Sequence, residues 1–98
     1  MRLGMQNIKF EFNFKKYICT WQDINSADNP WNNQDDIMEL RPAICKTLGY
    51  VYNLETYKAD GYITMFATWS EDHNAREFGD ICCIPNGCII SLIQLSDN

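Results

Sequence analysis

Phe78-Gly-Asp-Ile-Cys-Cys-Ile-Pro-Asn-Gly-Cys-Ile-Ile-Ser-Leu-Ile-Gln-Leu95 holds two short apolar runs, Ile81 to Ile84 and Cys88 to Leu95, separated by Pro85-Asn86-Gly87. Short runs rich in isoleucine and broken by Pro and Gly predict two strands around a tight turn. The second run is apolar on both alternation phases. Ile89, Ile93 and Leu95 occupy one phase, and Cys88, Ile90 and Leu92 the other. An edge strand needs only one apolar face, so the second face must be covered by barrel closure or by another subunit.

Working back along the chain, Gly61-Tyr-Ile-Thr-Met-Phe-Ala-Thr-Trp69 predicts a strand with Ile63, Met65, Ala67 and Trp69 on its apolar face. Residues 43–54 predict another, in which Gly49 marks a bulge or a sharp bend. Glu55 to Asp60 reads as the hairpin loop between them, and Ser70 to Glu77 as a charged loop. Ile8, Phe10, Phe12 and Phe14 alternate strictly with Lys9, Glu11, Asn13 and Lys15, the clearest period of two in the chain. Residues 22–40 are rich in Asp, Asn and Ser, which favour turns and helix caps. They predict a long acidic loop with one helical turn opening at Asn33 or Gln34, pinned to the core by Trp21 and Trp31. The expected architecture is a single all-β domain over 1–98. It is a five-stranded, strongly bent small barrel with strands near 8–18, 43–54, 61–69, 79–84 and 88–95.

A chain of 98 residues, 46% hydrophobic, supports one folded domain with one modest core. No apolar run approaches the length of about 18 residues that a membrane span needs. Residues 1–7 lack the apolar segment of a secretory signal, so a cytoplasmic, soluble protein is expected. The five cysteines include no C-x-x-C pair, and there is one histidine. A zinc site wants paired short spacings, so Cys19, Cys45, Cys82, Cys83 and Cys88 read as small hydrophobes in a reducing compartment. Cys82 and Cys83 should point to opposite faces of one strand. No cofactor or metal is expected.

Ser70, Asp72 and His73 lie together in one loop, whereas triad members come from separate elements, so they are not read as catalytic. Asp35 and Asp36 read as solvated turn residues in an Asn-rich loop. There is no phosphate-cradling Gly-rich loop and no nucleotide fingerprint. The net charge of −5 argues against general coating of nucleic acid, yet residues 1–18 and 41–58 are locally basic. Tyr50 and Tyr52 share a strand phase with Lys46, and Tyr57 and Lys58 sit side by side. Aromatics interleaved with lysine suit single-stranded nucleic acid, because bases stack while cations meet phosphates. The tyrosines of the strand also suit a core or a subunit interface, while Tyr57, in a turn, is expected to be more exposed.

The pattern from Thr47-Leu-Gly-Tyr-Val-Tyr52 through Gly61-Tyr-Ile-Thr-Met-Phe-Ala-Thr68 to the Gly79–Leu92 segment resembles short phage proteins of marine, cyanophage type. Through them it is similar to the Sm-like small β-barrels. Ile84-Pro-Asn-Gly-Cys-Ile89 keeps both apolar ends of the second Sm motif, with Pro85 in place of its arginine and the glycine one place late. The hairpin Glu55 to Asp60 lacks the Asp and Asn order that ends the first motif, and no N-terminal helix is expected. The resemblance implies a phage-encoded, non-enzymatic protein of an infected host cell's cytoplasm. It would assemble as a cyclic homo-oligomer, the last strand of one subunit pairing with the preceding strand of the next. It further implies binding of RNA or single-stranded DNA, in RNA or DNA processing. Tyr57 and Lys58 would supply stacking and phosphate contact, and Asn86 an amide from the neighbouring turn. The alternative is a structural or protein-interaction module that uses the acidic 22–40 loop as its binding surface.

Overall fold

A computed structural model describes residues 11–72 and 75–96. Among them, β1 (Lys16–Asp23), β2 (Ala43–Val51), β3 (Tyr62–Phe66), β6 (Cys82–Pro85) and β7 (Ile89–Gln94) form an antiparallel sheet in the order β6-β3-β2-β1-β7. A second sheet is the hairpin of β4 (Thr68–Asp72) and β5 (Ala75–Gly79). Two short helices, α1 (Gln34–Glu39) and α2 (Tyr57–Asp60), lie in the β1–β2 and β2–β3 connections.

Among the described residues seven strands therefore stand where the sequence predicts five, and two local breaks explain the difference. The ladder of β3 with β6 ends at Met65↔Cys82, and that of β4 with β5 resumes at Thr68↔Gly79. Between them the paired chains bend at Ala67 and Asp80, and Asp80 takes the left-handed φ of 53°. The predicted strand 61–69 is thus β3 plus the start of β4. In the predicted charged loop Ser70 to Glu77, residues 70–72 and 75–77 instead pair as strands of a hairpin, and 73–74 lie outside the described residues. The hairpin's strand β4 is exposed throughout and offers no buried face for the pattern to reveal.

The five-stranded sheet curls. Strands lie about 4.8 Å apart, so the outermost two of five would sit roughly 19 Å apart in a flat sheet. Yet β6 and β7 are joined by one 3-10 turn, Asn86–Cys88, which spans only about 6 Å. The sheet must roll until its two edge strands approach at that corner. It does not close into the expected barrel by hydrogen bonding, since β6 and β7 share no ladder among the described residues.

Inside the curl, Tyr17 and Cys19 of β1, Val51 of β2, Ile63 and Met65 of β3 and Ile84 of β6 make the core. Val51, Ile63 and Met65 are almost wholly buried. Phe66 points to the opposite side of β3 from Met65 and is buried as well. Its cover is aromatic: Tyr50, Phe78 and Phe14 ring it with centroids 4.7–5.5 Å away. Phe14 and Phe12 come from residues 11–15, which cross this face without joining a ladder. The predicted strand 8–18 accordingly begins only at Lys16, and residues 8–10 lie outside the described residues. Phe12 and Phe14 keep the period of a strand because both lie on the same apolar surface.

Gly49 explains how β3 comes so close to β2. A Cβ at this position would stand 2.8 Å from the Phe66 carbonyl oxygen, so only glycine admits the approach. Of the loop residues expected to pin the 22–40 segment, Trp21 does so from within β1. It packs against the core and donates from Nε1 to Thr47 Oγ1 at 2.9 Å. Trp31 does not, being 89% exposed. Among the described residues no helix is long and apolar enough to cross a membrane.

Candidate nucleic-acid interface

The β2–β3 connection is not the open hairpin loop predicted for Glu55 to Asp60. It contains the single helical turn α2, ended by Gly61 at a φ of 86°, with the Gly61 N–H donating to the Tyr57 carbonyl at 3.0 Å. Asn53 holds the connection closed. Its Oδ1 accepts from the Thr64 N–H at 2.8 Å, and its Nδ2 donates to the Tyr62 carbonyl and to Asp60 Oδ2, each at 2.9 Å. Thr56 Oγ1 donates to the same Asp60 oxygen at 2.7 Å. The bonds from Asn53 and Thr56 hold the Asp60 carboxyl below its ordinary pKa.

The 3-10 turn docks on this connection. Asn86 Nδ2 donates to the Tyr57 carbonyl at 2.9 Å, and the Asn86 N–H donates to the Gly61 carbonyl at 3.0 Å. The structure thus brings Tyr57 and Asn86 together, as the sequence expects, but their groups face inward. Asn86 Nδ2 is committed to a backbone carbonyl, and Asn86 Oδ1 is buried with no partner among the described residues. Tyr57 is half-buried against the core, not exposed as a turn position suggests. Lys58 is exposed.

Beside this double turn lies a cleft of about 430 Å³, walled by residues 13–15 and 51–56. Tyr52, 55% exposed, stacks on Phe14 at 5.6 Å and 18° between planes within its lining. Lys15 completes the near wall. Near the end of β2, Lys16 Nζ stands 5.9 Å over the Tyr50 ring, in a second recess of about 240 Å³ that also takes in Trp69. This surface joins flat π-faces with ammonium groups and can stack bases while meeting phosphates. Sequence reasoning marked Tyr50 and Tyr52 but not Phe14, Lys15 or Asn53, since the N-terminal segment reaches them only through the fold.

The remaining candidates fall elsewhere. Asp35 and Asp36 sit in the first turn of α1, where the Asp36 side chain and Asn33 form a reciprocal cap. Ser70 and Asp72 are exposed on β4, and His73 lies outside the described residues. No group of three or more His, Cys, Asp or Glu among the described residues could hold a metal ion. All five cysteines are free thiols. Cys19 is fully buried, Cys82 packs against the core and Cys83 is exposed on the other face, as their adjacency on a strand requires.

Comparison with protein-family models, with curated proteins and with solved structures finds no match for this chain.

Proposed function

We propose that this chain is a non-enzymatic, Sm-like protein of phage origin that binds single-stranded RNA or DNA. The observation that carries the reading is the cleft beside the β2–β3 connection, where Phe14, Tyr52 and Lys15 meet and Lys58 stands exposed two residues beyond its rim at Thr56. Stacking platforms and cations in one groove are the means by which single strands are held without sequence readout. One sharply bent strand pair, at Ala67 and Asp80, and a five-stranded sheet curled on itself support the Sm-like assignment. Edges on β6 and β7 that are unpaired among the described residues support assembly into a cyclic homo-oligomer, because joining β7 of one subunit to β6 of the next would satisfy both. The net charge of −5 limits the electrostatic attraction, so binding rests more on stacking than on counterion release. Fluorescence anisotropy with labelled poly-U and poly-A oligonucleotides at low salt tests the reading. Saturable binding that weakens as salt rises is expected, and undetectable binding at low salt refutes it.

A second reading, a protein-interaction module, is favoured by one observation. In the acidic connection between β1 and β2, Ile24, Trp31, Ile37 and Met38 are each more than 60% exposed.

A further inference from the structure

The β1–β2 connection is a built arm and not a slack loop. Asn33 caps α1, Asn32 Nδ2 donates to the Asn29 carbonyl at 2.9 Å, and Asn25 Nδ2 donates to the Arg41 carbonyl at 2.9 Å. At its return the Arg41 guanidinium donates to the carbonyls of Met38 and Leu40. The arm holds apolar side chains in the open while carrying Asp28, Asp35, Asp36 and Glu39 with no base before Arg41. Pre-ordering of this kind reduces the conformational cost of docking.

A second unpartnered surface lies on the same chain. Directly paired residues of antiparallel strands share a face, and Ile18 is paired with Leu48 on one side and Ile93 on the other. Leu48 and Ile93 are each 58% exposed, as is Ile44 further along β2. This outer face of β2-β1-β7 carries Lys46 and Lys16 and no carboxylate at its outward positions. Lys46 Nζ is steadied over it by donating to Thr20 Oγ1 at 3.0 Å. Apolar row and arm match in hydrophobicity and are opposite in charge.

We propose that the arm of one copy docks on the outer β2-β1-β7 face of a second copy, with Trp31, Ile37 and Met38 over the Leu48–Ile18–Ile93 row and the arm's carboxylates toward Lys46. This rests on the protein-interaction reading of the arm and names its partner. The contact joins two different surfaces of the chain, so it closes as a two-fold dimer when the arms are exchanged reciprocally and repeats from copy to copy when they are not. It leaves the β6 and β7 edges free for pairing in a ring, but it covers Leu48, which lines the recess of Lys16 and Tyr50, so docking and base stacking in that recess exclude each other.

The test places the photocrosslinker p-benzoylphenylalanine at position 31 of the full chain and mixes it with an equal amount of isotope-labelled chain. Trp31 is almost wholly exposed, so the replacement should leave the fold intact, which circular dichroism verifies. Adducts between labelled and unlabelled copies, mapping to residues 44–48 or 90–93, are expected. Leu48→Lys in the acceptor copy should lower their yield about tenfold, the effect of losing one central apolar contact. Adducts within one chain only, or interchain adducts mapping elsewhere, overturn the proposal. Repeating the irradiation in a cell lysate separates the two levels of inference. Adducts to other proteins with none to this face overturn self-docking and leave the interaction reading standing. No protein adduct in either setting overturns both.

Discussion

Asn86 and Tyr57, 29 residues apart in sequence, are tied by a single side-chain bond from Asn86 Nδ2 to the Tyr57 carbonyl. With the Asn86 N–H on the Gly61 carbonyl, this clamps the turn between β6 and β7 onto the helical turn between β2 and β3. The clamp stands at the corner where the curled sheet brings its edge strands together. It therefore couples the curvature of the sheet to the wall of the candidate cleft.

Replacing the clamp should be felt in stability first. Asn86→Ala removes one partly buried hydrogen bond and should cost about 1 kcal/mol. Asn86→Asp should cost more at neutral pH, about 2–3 kcal/mol, because a carboxylate would face the Tyr57 carbonyl it can no longer donate to. Urea unfolding should give a lower midpoint with an unchanged slope in both variants. Equal stability of the Asn86→Asp variant and the wild-type protein would show that the amide is not needed.

Gly49→Ala should be among the most damaging single methyl additions. The atom that a new Cβ meets at 2.8 Å is a backbone oxygen of β3, which cannot rotate away as a side chain can. Separating β2 from β3 at their short ladder, Tyr50↔Phe66 and Val51↔Met65, should cost about 1–3 kcal/mol. At this chain length that lowers the melting temperature by roughly 4–8 °C per kcal/mol. Gly87→Ala is the control, since nothing lies within 4 Å of its added Cβ.

Much of this frame was legible in the sequence where a residue's role is local. Asn33 is a good cap whatever surrounds it, and neighbouring Cys82 and Cys83 must part to opposite faces. Gly49 reads as a bulge or a sharp bend, yet its register with β1 runs unbroken and its role is the close approach of β3. What escaped depends on distant partners. The β4–β5 hairpin has an exposed strand β4 and is held by its own ladder, by the Arg76–Glu71 ion pair at 3.0 Å, and by Trp69 on Phe12 and Phe78 on Phe66. No hydrophobic period can announce such a hairpin. Phe12 and Phe14 show their period but not their destination, over Phe66 and Tyr52. Tyr57 reads as exposed because turns usually are, yet the 3-10 turn 29 residues away folds over it.

Burial raises the pKa of the Cys19 and Cys82 thiols, and their proximity to Cys82 and Cys83 respectively adds to the effect. Both should stay protonated and slow to react at neutral pH, while exposed Cys83 is modified first. The sign for stability follows. A raised folded value favours the fold with its neutral thiol fully below the ordinary value of 9.0, and that contribution is lost as pH climbs above it through the folded value. Timed alkylation with mass mapping checks the order. Cys19 reacting as fast as Cys83 in the folded protein would contradict the packing.

Asp60 works in the opposite direction. Its lowered folded value means that the Asn53 and Thr56 bonds favour the ionised fold above the ordinary value of 3.8, and that this help fades as pH falls through the folded value. Asp60→Asn should therefore be less stable than wild type at neutral pH, and the gap should narrow on acidification below 3.8. Paired thermal melts across the acid range read this directly. A gap that widens in acid would reverse the assignment.

Binding and folding should separate along the candidate interface. Lys58 is exposed and makes no contribution to the core, so Lys58→Ala should leave the melting temperature unchanged, weaken all oligonucleotides alike and lower the salt slope by about one. Tyr52 is more than half exposed within the cleft lining, and Tyr52→Ala should cost about 1–3 kcal/mol of affinity, the value of one stacked base. Tyr57 is packed against the core cluster, so Tyr57→Ala should lower stability as well as binding. Anisotropy titrations beside urea curves on the same three variants distinguish the roles. If Tyr57→Ala alone abolished binding without loss of stability, the stacking face would lie at α2 and not in the cleft. If none of the three altered affinity, bound nucleic acid would have to sit elsewhere on the molecule.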